Sequence, residues 1–169
     1  YYQTLSCFEG NNEVYFCKVS SGAGEFATPL GTLAAWRKMY SIHMSANTAS
    51  DSGYDTAAVA WPTFISGEGV AIHAAFWHND FGTRRSHGCV NVRPDDAKWI
   101  FRWTNPYVSL EQTEVKLEWP NVGTQVVVTQ LLDLAHLVGG AEAVEEVYEG
   151  DAGLQGAGLG DEGHVVGLL

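Results

Sequence analysis

Apolar residues come in short runs along positions 1–128, and glycine, proline, asparagine or serine separates most runs from the next. That rhythm predicts strands joined by turns. Leu5–Phe8 and Val14–Val19 flank Glu9-Gly10-Asn11-Asn12-Glu13 as the arms of a hairpin. Ser20 to Glu25 reads as loop, and Thr28-Pro29-Leu30-Gly31 turns the chain into a strand over Leu33–Trp36. The small and polar residues of 45–56 predict an exposed loop. Val59–Ile65 and Val70–Ala75 are apolar runs around Ser66-Gly67-Glu68-Gly69, hence two strands and a turn. One stretch departs from this rhythm. Pro94 opens residues 94–104, Asp95 and Asp96 suit the positive end of a helix, and Ala97, Ile100, Phe101 and Trp103 supply a face for the core. Val115–Leu117 and Thr124–Val128 complete the strands. The expected fold is mainly β, a β-rich α+β domain over 1–128 with one main helix near 94–104.

From Thr129 the pattern lapses. Leu131, Leu134, Ala135, Leu137 and Val138 are spaced for a short amphipathic helix, which Gly139-Gly140 interrupts. Residues 150–169 hold seven glycines and no Lys, Arg or aromatic residue. So little apolar surface does not offset chain entropy, and the 129–169 tail is expected to be disordered or weakly helical. Charge separates the same two parts. The chain carries a net −11, yet residues 1–128 hold nine Lys and Arg against twelve Asp and Glu, and 129–169 hold eight acids and no Lys or Arg. The body is nearly neutral and has no basic cluster to neutralise phosphates, so nucleic acid is not an expected partner. No apolar run approaches the ~20 residues of a membrane helix. Tyr1-Tyr2-Gln3-Thr4-Leu5 lacks the basic and apolar regions of a signal peptide. A monomer is expected.

Cysteines stand at 7, 17 and 89. If the hairpin turn centres on Asn12, Cys7 and Cys17 face each other; a disulfide fits there, and so do two small buried hydrophobes, because spacing alone does not fix geometry. Cys89 has different surroundings, in Ile72 to Asn91: IHAAFWHNDFGTRRSHGCVN. A free thiol titrates near ~8.5, so as a nucleophile it needs a base or a stabilising environment. His73 ends an apolar strand, which is rigid enough to hold an imidazole in place. Gly88 lets the backbone approach a substrate closely, and the amides from His87 to Cys89 suit a tetrahedral oxyanion. His87 is nearer to Cys89 in sequence, but the i, i+2 relation of an extended segment sets it ~6.5–7 Å away along the strand, long for direct proton transfer. Its expected part is supporting. The residues alone point to acyl transfer by a Cys/His pair, with a merely buried Cys89 as the bland alternative.

Ser86-His87-Gly88-Cys89-Val90-Asn91, with twelve residues between His73 and Ser86, resembles the His…[Ser/Thr]-His-Gly-Cys-x-Asn signature of L,D-transpeptidases, the YkuD-type domain. Val19-Ser20-Ser21-Gly22 with Thr28-Pro29-Leu30-Gly31-Thr32 is similar to that family's upstream stretch, HAAFWHNDFG at 73–82 to its loop between base and nucleophile, and Gly123-Thr124-Gln125-Val126 to its closing strand. The resemblance covers about residues 3–128. It implies a sandwich-like catalytic domain in the cell envelope, outside the cytoplasm, with no cofactor and no metal.

The resemblance also implies roles. Cys89 matches the nucleophile, His73 its base, and the backbone carbonyl of Ala74 the group that orients the imidazole. His87, Gly88 and Cys89 match the oxyanion segment, Ser86 stands with it as an oxyanion or substrate-binding residue, and Asn91 positions the loop or the donor peptide. Trp77, His78 and Arg85 are candidate substrate contacts, weighed against aromatic packing, simple exposure and a solvated loop face respectively. His43 and Met44 read as filler. The implied reaction joins peptidoglycan stem peptides: Cys89 takes the acyl group of a tetrapeptide stem, D-alanine leaves, and an amine acceptor takes the acyl group from the thioester. Three rivals stand beside it. A carboxypeptidase or other cysteine peptidase shares the chemistry, and a wall-binding module shares the fold without turnover. A zinc site from His73, His78, His87 and Cys89 fits no common ligand spacing.

Overall fold

The hairpin turns on Gly10-Asn11, where Gly10 takes a φ of +57°, a left-handed conformation that glycine adopts without steric cost. Its arms are β1 (Thr4–Glu9) and β2 (Asn12–Lys18). The turn is therefore not centred on Asn12, and a register shift follows Cys7, so Cys7 lies opposite Tyr15 and Cys17 opposite Leu5. Both thiols are free and buried. They fill the core as small hydrophobes and are not bonded to each other.

The computed structural model describes residues 2–46, 53–129 and 164–168. After a 3-10 turn at Gly24–Phe26 come β3 (Gly31–Ala34), β4 (Arg37–Met39), β5 (Ser41–Ala46), β6 (Tyr54–Ala60), β7 (Thr63–Phe64) and β8 (Ala71–Ala74). Then follow β9 (Val90–Val92), α1 (Pro94–Trp103), β10 (Glu114–Lys116), β11 (Gln125–Val128) and β12 (His164–Leu168). Two five-stranded sheets form, in the orders β2-β1-β12-β11-β3 and β10-β4-β7-β8-β9, with β5 and β6 as a separate two-stranded ribbon. The fold is mainly β with one α-helix among the described residues, as the apolar rhythm predicts.

Three expectations change. The run Val59–Ile65 is not one strand: Trp61 has a φ of +57° and Pro62 lacks an amide, so the chain ends β6 at Ala60 and starts β7 at Thr63. The polar stretch 45–56 is partly strand, since Ser45 pairs with Asp55 and Ala46 with Tyr54; residues 47–52 lie outside the described residues. The third change concerns the tail. Residues 164–168 are a strand lying between β1 and β11, antiparallel to the first and parallel to the second. The short helix expected at 131–138 lies outside the described residues.

One core unites these parts. Leu5, Cys7 and Cys17 of the hairpin, Val126 and Val128 of β11 and Val166 of β12 pack with Ile72 and Ala74 of β8, Val90 and Val92 of β9, and Ala97 and Ile100 of α1. Alternation along β8 and β9 sends those residues to the core and leaves the intervening side chains for the other face. That other face is where the histidine and cysteine chemistry sits.

Candidate active site

β8 and β9 run parallel and adjacent, with Ile72 opposite Val90, His73 opposite Asn91 and Ala74 opposite Val92. His73 and Asn91 therefore share a face, and Cys89, two residues before Asn91, reaches the same side. A cavity of about 150 Å³ is lined by His73, Trp77, Arg85, Ser86, His87, Cys89 and Asn91 together with Met44, Tyr54, Thr56 and Val59 of the β5–β6 ribbon. Seven of the ten residues singled out in the sequence thus meet at one cavity. The other three, Ala74, Gly88 and His78, stand behind it as supports.

His73 is 3 % exposed, and its Nδ1 lies 3.0 Å from the Ala74 carbonyl oxygen. A carbonyl only accepts, so Nδ1 carries the proton and Nε2 keeps its lone pair. Burial is the main cause that drives the imidazole down to about 4; the Ala74 carbonyl opposes this, and His78 adds to it. The ring is neutral at pH 7. Trp77 sets its indole 5.9 Å from the His73 ring, and Phe76 meets that indole edge-on at 5.1 Å. Burial likewise pushes the Cys89 thiol up, partly offset by a hydrogen bond from the Ala71 backbone. A neutral thiol and a neutral imidazole thus line one cavity at rest.

The Ser86–Cys89 segment is held by hydroxyls. Ser86 Oγ accepts from the Gly88 amide at 3.2 Å and donates to the Cys89 carbonyl. Thr28 Oγ1 donates to the Gly88 carbonyl at 2.8 Å and accepts from the Gly22 amide at 3.0 Å. Gly88 itself has a φ of +110°, a conformation that favours glycine. Gly22 is needed for a different reason: a Cβ there would lie 1.9 Å from the Phe26 carbonyl oxygen. The backbone then zips onto β9 through paired bonds, Ser20 N–H to the Asn91 carbonyl at 2.8 Å and Asn91 N–H to the Ser20 carbonyl at 2.9 Å. The upstream Ser20-Ser21-Gly22 and Thr28 are thus the frame on which the cysteine turn is built.

His87 is exposed, and its ring sits 4.9 Å from Phe26 and 5.2 Å from Tyr54. Arg85 pairs with Asp80 at the rim. His78 contacts the Asn91 carboxamide at 3.1 Å. The ribbon residues Tyr54, Met44, Thr56 and Val59 line the cavity without a signal in the sequence: 45–56 reads there as exposed loop, Met44 as filler and Val59 as the start of a strand. Tyr54, which lines the cavity with Cys89, is pushed up by burial and, in addition, by Cys89. His43, on the solvent side of the same ribbon, pairs with Asp55. Among the described residues no group of three or more His, Cys, Asp and Glu is gathered to hold a metal.

A strand-borne imidazole, a cysteine after a glycine turn and a shared cleft define a cysteine–histidine site on a two-sheet β domain. Residues 2–128 match the profile of the YkuD L,D-transpeptidase catalytic domain, and the chain belongs to that family. Over 89 residues it is 34% identical to L,D-transpeptidase 1 of Mycobacterium tuberculosis, covering 48% of this chain and 35% of that protein. Over 54 residues it is 44% identical to L,D-transpeptidase 2 of the same species, covering 31% of this chain and 13% of that protein. The chain thus spans about a third or less of the length of these curated relatives. Among solved structures, an L,D-transpeptidase from Mycobacterium smegmatis superposes with a TM-score of 0.57 at 25% identity, over 71% of this chain and 51% of the other. The catalytic domain of the E. faecium L,D-transpeptidase superposes at 0.53 and 23% identity, over 69% of this chain and 89% of the other.

Proposed function

We propose that this domain is a peptidoglycan L,D-transpeptidase acting through a thioester on Cys89, with His73 as the base. The observation that carries the reading is the His73 ring: with Nδ1–H given to the Ala74 carbonyl, Nε2 is the acceptor on the cleft face shared with Cys89. His73 Nε2 takes the thiol proton as Sγ attacks the carbonyl that joins the third residue of a tetrapeptide stem to D-alanine. The tetrahedral oxyanion is received by backbone amides of the cysteine turn. The Gly88 amide is occupied by Ser86 Oγ, which favours the His87 and Cys89 amides as donors. Collapse breaks the C–N bond, and His73 returns the proton to the departing D-alanine nitrogen. An amine of a second stem then attacks the thioester; water in its place gives carboxypeptidase activity. Trp77, Tyr54 and His87 wall the cleft against water and hold the donor stem. The site of action is the cell envelope, outside the cytoplasm, and the partners are donor and acceptor stems.

Carbapenems acylate such a cysteine, and a solved L,D-transpeptidase in complex with imipenem shares this fold at a TM-score of 0.53 and 24% identity. Incubation with imipenem followed by intact-mass measurement should add one acyl group to the wild type and none to Cys89→Ala. Incubation with a stem tetrapeptide should release D-alanine at a rate that His73→Ala lowers by at least ~100-fold, the usual range for a lost general base. A wild type that neither gains the adduct nor releases D-alanine sinks the reading.

A further inference from the structure

Among the described residues that line the cavity, Arg85 is the only Lys, Arg, Asp or Glu. Burial keeps the His73 imidazole and the Cys89 thiol neutral at pH 7. A pocket with one arginine and no acid in its wall is complementary to an anionic group. The backbone explains how the side chain is aimed. The Arg85 and Ser86 amides both donate to the Ser21 carbonyl, at 3.0 and 3.1 Å, and the Ala23 amide donates to the Ser86 carbonyl at 3.0 Å. Arg85 thus stands on the same Ser20–Gly22 frame that carries the cysteine turn. Arg84, its neighbour, is exposed and does not line the cavity.

Asp80 Oδ2 takes one nitrogen of the guanidinium, Nη1. Asp80 is itself held, its carbonyl accepting from Ser20 Oγ at 3.1 Å and its amide donating to His78 Nδ1 at 3.3 Å. A guanidinium has five N–H donors, and no other hydrogen bond of this one closes among the described residues. Both partners are about half exposed, so the pair is weak: Asp80 orients the fork without saturating it. The charge is felt inside the site, since Arg85, after burial, holds His78 below the ordinary histidine range, and His78 contacts the Asn91 carboxamide at 3.1 Å. The peptide of the proposed reaction supplies an anion. The D-alanine to be expelled ends in a carboxylate one residue, about 3.5 Å, past the attacked carbonyl. A guanidinium fork matches a carboxylate at two points. We propose that Arg85 is a specificity residue of this cleft, whose guanidinium takes the terminal carboxylate of the peptide that Cys89 attacks. This rests on the acyl-transfer reading above.

The test compares two donors, a stem tetrapeptide with a free terminal carboxylate and the same peptide ending in D-alaninamide. Acylation of Cys89 by each is followed by intact mass, and alkylation by iodoacetamide counts the reactive sulfur. The two peptides differ in intrinsic reactivity, but that difference is common to every variant and cancels when their kcat/KM ratios are compared. In Arg85→Gln the acid-to-amide ratio should fall about tenfold, the effect of one charged hydrogen-bonded contact at a half-exposed site. In Arg84→Gln, which removes an equal charge one residue away, the ratio should stay at the wild-type value. A wild-type ratio in Arg85→Gln overturns the proposal and leaves the acyl-transfer reading standing. An equal fall in both variants does the same, because it reports long-range charge rather than contact. A wild type that is alkylated but acylated by neither peptide overturns both.

Discussion

As the proposed base, His73 would have to be uncharged to accept a thiol proton, and burial keeps it so: the ring is 3 % exposed and driven down to about 4. Two consequences follow, with opposite observables. In catalysis the working base is the neutral form, so the acid limb of kcat/KM for the tetrapeptide should fall near pH 4 rather than near the ordinary histidine value of ~6.5. In stability the unfolded chain binds a proton on this histidine below ~6.5 while the folded chain does not until about 4. The native state therefore loses stability as pH falls through that window, and His73→Phe should flatten this part of the urea-midpoint profile. An acid limb near 6.5 in the wild type would show that the ring is hydrated when the enzyme works. That Cys89 and His73 line one cavity was legible chiefly through the SHGCVN resemblance, since a cysteine with a histidine nearby is a weak signal by itself. Thr28 and Ser20 were legible only as part of a resemblance. Their work, one hydroxyl on the Gly88 carbonyl and a two-bond zip onto Asn91, joins segments more than 50 positions apart, and no local pattern reports it.

Helix α1 shows how an element obvious from its own residues depends on one that is not. Pro94, Asp95 and Asp96 open it, and Ala97, Ile100 and Phe101 bury its inner face, as their spacing predicts. Its far end is closed by a strand. Lys38 of β4 is fully buried, and its Nζ donates to the Phe101 and Thr104 carbonyls at 2.5 and 2.6 Å while lying 4.6 Å from the Phe101 ring. These are carbonyls at the helix C-terminus, which otherwise have no intrahelical donor. Lys38→Met keeps the stem and strands both oxygens, so it should destabilise the domain by about 2 kcal/mol in urea unfolding. Burial also drives the Lys38 ammonium down to about 7. Between that value and the ~10.4 of an exposed lysine, the unfolded chain binds the extra proton, so wild-type stability should rise with pH across this range. The methionine variant should lack that rise. A stability unchanged by the substitution would mean that the two carbonyls find other donors. The β5–β6 ribbon is the converse case. Its alternation of exposed and half-buried positions is weak, Ser41 out, Ile42 in, His43 out, Met44 in, because it lies over a cleft rather than in a core. Composition alone reads 45–56, which takes in the end of β5 and the start of β6, as loop.

The five-stranded sheet of the hairpin closes only through β12. β1 pairs with β12 from Leu5–Leu168 to Glu9–His164, and β11 pairs with its other edge from Gln125 to Val128. Family similarity ends at residue 128, so the strand lies outside the matched region yet in the middle of the sheet. Five residues among glycines give no local signal for a central strand; the partners that make it one are remote in sequence. Val166 is the inward residue, 0% exposed and packed in the core with Leu5, Cys7 and Val126, whereas Val165 faces the other side and is half-buried. Further ties reach the strand from the helix and hairpin: His164 stacks on Trp103 at 4.4 Å, and Glu9 accepts from Trp103 Nε1 at 2.8 Å. If β12 is integral, Val166→Ala should cost about 2–3 kcal/mol, from two lost methyl groups and the cavity they leave, and Val165→Ala well under half of that. Cleft chemistry supplies a second readout, because β12 holds β1 and β2 in place and the chain from Lys18 runs directly into the Ser20–Gly22 frame of the cysteine turn. Deleting 164–169 should therefore lower both the unfolding midpoint and the rate of imipenem acylation at Cys89. Equal midpoints for the two alanine variants, with acylation unaffected by the deletion, would show that the sheet closes β1 onto β11 without this strand.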